Sequence, residues 1–85
     1  MVLTMFKKRR YAVTIYVAKE EQSFTLGRIS GLIDAMTGNI GTKDYSSCIG
    51  DDSITYWFDA TRLQVAVIEK FIKEVYDGYI ERVNF

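Results

Sequence analysis

The sequence predicts one α+β domain spanning residues 1–85, with the order strand, helix, strand, strand, helix, strand. Three observations carry this reading. Residues 11–18 alternate β-branched and aromatic side chains with a period of two. Two later stretches carry apolar residues at helical spacing, each closed by a glycine. Between them, turn residues at positions 50–53 lead into a second β-rich run.

Taken in order, the first strand places Tyr11, Val13, Ile15 and Val17 on one face and Ala12, Thr14, Tyr16 and Ala18 on the other. The charged residues at 19–21 end it. Ser23 or Thr25 then caps a helix whose apolar positions are Leu26, Ile29, Leu32, Ile33 and Met36, and Gly38-Asn39 stops it. Gly27 and Gly31, four residues apart, predict close approach of a neighbouring backbone. Residues 40–49 read as an irregular strand or loop. Gly50, Asp51, Asp52 and Ser53 have turn chemistry, and residues 53–58 form the strand after it, making a hairpin. Asp59 caps a second helix over residues 60–77, supported by the i,i+4 pairs Glu69–Lys73 and Lys70–Glu74 and stopped by Gly78. Residues 79–85 form the last strand.

This order matches the split βαβ, or ferredoxin-like βαββαβ, arrangement: an antiparallel sheet with two helices on one face and its first and third strands at the centre. The other sheet face is then uncovered. With Val13, Ile15 and Val17 turned towards the helices, Thr14 and Tyr16 face outward; with Ile54, Tyr56 and Phe58 inward, Thr55 and Trp57 face outward. Tyr16 and Trp57 are expected close together there, joined by Arg82 from the last strand, as a partner-binding platform.

Composition bounds the function. A chain of 85 residues holds one core and buries only about 60% of its unfolded surface. The hydrophobic fraction of 48% argues against disorder, and the aromatic fraction of 14% exceeds what a small core absorbs, so aromatics reach the surface. Eleven basic and eleven acidic residues cancel, so no global field draws the chain to nucleic acid or to an anionic membrane. A single cysteine, Cys48, forms no internal disulfide and fits a reducing compartment. The apolar residues at 1–6 precede Lys7, Lys8, Arg9 and Arg10, the reverse of a signal peptide, and no apolar run is long enough to span a bilayer. The expected location is the cytoplasm.

Catalysis is largely excluded. Histidine is absent, which removes the commonest general base and metal ligand. One cysteine cannot build a zinc site, and no phosphate-binding glycine motif is present. Gly27-Arg28 lies near a helix start, where acylphosphatases hold phosphate on this fold, but the preceding residues 19–23 are acidic and lack glycine. Asp44, Asp51 and Asp52 are candidate hard-cation ligands, with Asp51 and Asp52 read as turn residues, and Cys48 is read as a small packed residue. Neither cofactor nor metal is expected, and the chain is read as a non-enzyme.

The second helix carries an apolar arc wider than a sheet requires. Leu63, Val67, Phe71 and Val75 form one ridge, and Val65, Ile68, Ile72, Tyr76 and Tyr79 another, with Phe71 and Ile72 as buried anchors. The excess packs on the first helix or meets a partner. These features lead to a protein-binding or regulatory domain acting by surface contact and associating as a homodimer, in the manner of small accessory or inhibitory proteins of viruses and mobile elements. A nucleic-acid binder using Lys7, Lys8, Arg9 and Arg10 with Tyr16 and Trp57 is the first alternative. RNA-recognition motifs place stacking aromatics on the same two strands, but residues 53–58 lack their basic-glycine-aromatic signature. The second alternative is a regulatory domain holding a small molecule at a dimer seam.

Overall fold

In a computed structural model of the chain, residues 7–38 and 47–83 are described. Strand β1 (Arg9–Tyr16) leads through a 3-10 turn (Lys19–Glu21) into helix α1 (Gln22–Thr37). Strands β2 (Ser47–Ile49) and β3 (Ser53–Ala60) follow, then helix α2 (Arg62–Val75) and strand β4 (Asp77–Arg82). The class is α+β, with two helices and an antiparallel sheet in the order β2-β3-β1-β4. Asp44, the candidate cation ligand, and Asn84 and Phe85 of the expected last strand lie outside the described residues, as does the side chain of Cys48.

The two-residue alternation of β1 and β3 decides where the core lies. Val13 sits opposite Tyr56 on one side and Ile80 on the other. Tyr11, Val13 and Ile15 of β1 and Ile54, Tyr56 and Phe58 of β3 are all buried. They form one cluster with Ile29 and Ile33 of α1 and Ile68 and Ile72 of α2, so both helices cover the same sheet face. Tyr11 and Tyr56 each stack with Phe58, with ring centroids 6.1 and 6.4 Å away. Tyr56 also reaches α1 by donating its hydroxyl to Asp34 Oδ1 over 2.8 Å.

Several local expectations are corrected. Neither Ser23 nor Thr25 caps α1. The helix begins one turn earlier, after Glu21, with no side-chain cap. Its start is held instead by buried Gln22, whose Nε2 donates to Val17 O and, over 3.0 Å, to Gly50 O in the hairpin turn. Asp59 does not cap α2: it continues β3 and pairs with Arg10 across the sheet, Nε to Oδ1 at 2.6 Å. The cap is Thr61, which forms a reciprocal capping box with Gln64. The helix ends at Tyr76 in extended conformation, not at Gly78. Gly78 is a strand residue opposite Ile15, where a Cβ would collide with the carbonyl oxygen of Thr14. Gly38 does end α1, in left-handed conformation with φ 73°. Gly27 and Gly31 are exposed and a Cβ on either would meet nothing within 4 Å among the described residues, so no described backbone packs against them.

Phe71 is only half-buried, with its ring edge-on to Tyr76 at 6.1 Å, whereas Ile72 is fully buried. The helices touch sparingly. Gln64 Nε2 donates to Met36 O over 3.1 Å, and Phe71 and Tyr76 face Arg28, Ile29 and Leu32 across a shallow groove of about 230 Å³. Among the described residues, no helix is long and apolar enough to cross a membrane.

Candidate binding surfaces

The uncovered sheet face is built by the residues that alternate with the core. Across β4, β1 and β3 its rows read Asp77, Tyr16, Ser53; then Tyr79, Thr14, Thr55; then Glu81, Ala12, Trp57. Small side chains fill the centre, where the Thr14 and Thr55 hydroxyls are 3.2 Å apart. Ala12 is buried without any helix above it, lying between its larger cross-strand partners Glu81 and Trp57. The result is a shallow trough of about 620 Å³ with aromatic side chains towards both ends.

Tyr16 and Trp57 share this face, as the alternation predicts, but they are not neighbours. Trp57 sits opposite Ala12 and Tyr16 opposite Ser53. That is four positions along the strand, roughly 13 Å at 3.2–3.4 Å per residue. The partner of Tyr16 is Tyr79, ring centroids 6.4 Å apart, a pairing that follows from β4 lying beside β1. The neighbouring Tyr79 phenol holds Tyr16 above the ordinary value of 10.0, chiefly because two phenolates repel. Lost hydration, a hydrogen bond with Tyr79 and the carboxylates of Asp52 and Asp77 act in the same direction. This end of the face is therefore negative in character.

Arg82 lines the trough together with Tyr16 and Trp57. Its register nevertheless lies opposite Tyr11, an inward-facing position of β1, on the helix side of the sheet. There it lines a hollow of about 410 Å³ with Lys7, Arg9, Tyr11 and Arg62. The basic run at residues 7–10 is accordingly divided. Lys8 Nζ donates to Thr37 O at the end of α1 over 2.9 Å, and Arg10 pairs with Asp59. Only Lys7 and Arg9 reach the hollow. Arg62 and Tyr11 were not signalled as site residues by composition or motif. Strand parity, which puts Arg9 and Tyr11 on one side of β1, and the position of Arg62 at the head of α2 are the features that bring them together.

The remaining surfaces are less organised. Leu63 and Val67 of α2 are 53% and 57% exposed, so the surplus apolar arc does not pack on α1. Exposed Phe24 lies under the Arg28 guanidinium, 5.8 Å from the ring centre, so Arg28 stacks on its own helix. Asp51 and Asp52 occupy a turn whose backbone bonds Gly50 N to Ser53 O and Val17 N to Asp52 O. No cluster of three or more potential metal ligands occurs among the described residues.

Comparison with known proteins adds no relative: no family matches the chain, and no curated protein or solved structure matches it either.

Proposed function

We propose that the chain is a non-enzymatic binding domain of ferredoxin-like architecture that associates with a second copy of itself through the uncovered sheet face. The topology reading is supported by the central position of β1 and β3 and by a single core beneath both helices. The observation that carries the function is the trough itself: a sheet face that none of the described elements covers, small in the middle and aromatic at both ends. Tyr16 and Tyr79 remain 48% and 41% exposed there. Exposed aromatics around a recess are favourable contact residues, because large rigid rings bury much area at little entropic cost. A two-fold axis crossing the strands sets Trp57 of each copy over the Tyr16–Tyr79 pair of the other, which makes the contact isologous and closed.

The nucleic-acid alternative loses its geometry. Arg9 has its register on the opposite side of the sheet from Tyr16 and Trp57, and Lys7 lines the same hollow as Arg9, while Asp52, Asp77 and Glu81 border the aromatic face alongside Arg82. Phosphates approaching the aromatics meet carboxylates.

Light scattering tests the proposal. The expected particle has twice the 9.8 kDa mass at micromolar concentration. Trp57→Ala is expected to weaken association by about 2 kcal/mol, with little response to salt, while the circular dichroism spectrum is unchanged. A monomer at every concentration up to the millimolar range overturns it. Quenching of Trp57 fluorescence by a single-stranded oligonucleotide at low salt decides for the alternative.

A further inference from the structure

The hollow beside the head of α2 has its own lining of Lys7, Arg9, Tyr11 and Arg62 and shares Arg82 with the trough assigned to self-association. Among the described residues its walls hold four cationic side chains, Lys7, Arg9, Arg62 and Arg82, and no carboxylate. Among the described residues none of the four is in an ion pair, although the chain as a whole carries as many acids as bases. Concentrating unpaired like charges in one recess costs stability by self-repulsion, a cost that an anion reverses. Helix α2 worsens the imbalance. It opens with Arg62 and has no acidic residue in its first turn, the reverse of what its positive end favours. Tyr11 is an independent sign. Its side chain is only 9% exposed and its ring stacks on Phe58, yet its hydroxyl has no hydrogen-bond partner among the described residues. Among the described residues no buried polar side-chain atom is left without a partner, so this hydroxyl meets solvent, and the hollow that Tyr11 lines is where it does so. A phenol held rigidly from behind with a free O–H is a preorganised donor.

We propose that this hollow binds a compact, multiply charged phosphate group of the di- or triphosphate class. Three guanidinium forks suit phosphate oxygens held in pairs, Lys7 adds a mobile point charge, and Tyr11 donates a fixed hydrogen bond. Four cations around about 410 Å³ exceed what one singly charged ion neutralises. The recess does not continue as a track for a polymer backbone, because the neighbouring cations Lys8 and Arg10 are engaged by Thr37 and Asp59.

Titration calorimetry at low salt with inorganic tripolyphosphate, pyrophosphate and orthophosphate tests the site, with thermal melts run in parallel. Affinity is expected to fall in that order, and tripolyphosphate to raise the melting temperature. Arg62→Gln and Arg82→Gln are each expected to weaken tripolyphosphate about tenfold or more, equivalent to about 1.4 kcal/mol. Arg62→Lys keeps the charge and loses the fork, so its affinity should lie between those of Arg62→Gln and the parent. Tyr11→Phe weakens binding by a smaller factor while leaving the spectrum folded, and Lys19→Gln, outside the hollow, leaves affinity unchanged. Absence of tripolyphosphate binding to the folded chain overturns the proposal, as does binding that the two arginine variants retain. Tighter binding of single-stranded oligonucleotides, with affinity growing with length, overturns it in favour of a nucleic-acid backbone.

Discussion

Gly78 shows how much one missing side chain decides. Opposite Ile15 in β4, it leaves no space for a Cβ, which would strike the Thr14 carbonyl and lie 3.1 Å from Ile15 Cα. Gly78→Ala is therefore expected to lower unfolding free energy by about 1–3 kcal/mol in urea titration, the cost of overpacking against a rigid backbone. Tyr16 offers a second test, one of charge. Because its folded value is raised, the fold favours the protonated phenol. That preference is fully present below pH 10.0 and is lost as pH climbs through the raised value. In a carbon-13 tyrosine titration, Tyr16 should ionise later than an ordinary phenol, and Tyr79→Phe should move it back towards 10.0. An unmoved midpoint in that variant rules Tyr79 out as the cause.

Helices α1 and α2 differ in how their ends are held. The end of α1 depends on side chains distant in sequence: Lys8 on the Thr37 carbonyl and Gln64 on that of Met36. Gln64 also closes the capping box with Thr61, so one amide fastens the start of α2 and the end of α1. Gln64→Ala should cost about 1–3 kcal/mol, and amide exchange should quicken at both helix ends; quickening in α2 alone would show the link to Met36 to be idle. The exposed glycines of α1 predict the opposite sign. With nothing for a Cβ to touch, Gly31→Ala should raise stability by about 0.8–1.0 kcal/mol through helix propensity. At this scale the sequence is most legible where a pattern is periodic. The parity of β1 and β3 and the core positions Ile29, Ile33, Ile68 and Ile72 all follow from spacing alone. Caps were less legible, because Asp59 and Thr61 are both good cap residues and it is the cross-strand pairing with Arg10, invisible in the local sequence, that sets Asp59 in the sheet. The candidate sites were least legible. Parity places Tyr16 and Trp57 on a common face, but their separation depends on register, set between residues 9–16 and 53–60 and invisible within either segment. The same register sets Arg82 opposite Tyr11, so that it borders both the trough and the hollow.

For the whole molecule, stability and association are one quantity if the sheet face closes against a copy of itself. The melting midpoint is then expected to rise with protein concentration, and the rise to vanish in Trp57→Ala; a midpoint independent of concentration in the parent contradicts a dimer. The sheet order has a further outcome, in time rather than in space. Strand β1 precedes the other described elements along the chain, yet both of its neighbours, β3 and β4, come from the second half of these 85 residues. While the polypeptide is being synthesised, Tyr11, Ala12, Val13, Thr14, Ile15 and Tyr16 stand with two unsatisfied edges until β3 arrives, and with one until β4 is complete. An uncharged, β-prone hexapeptide in that condition is a template for other nascent chains. The two lysines and two arginines just ahead of it, at residues 7–10, then serve as gatekeepers, keeping young chains apart by repulsion before the sheet exists to protect them.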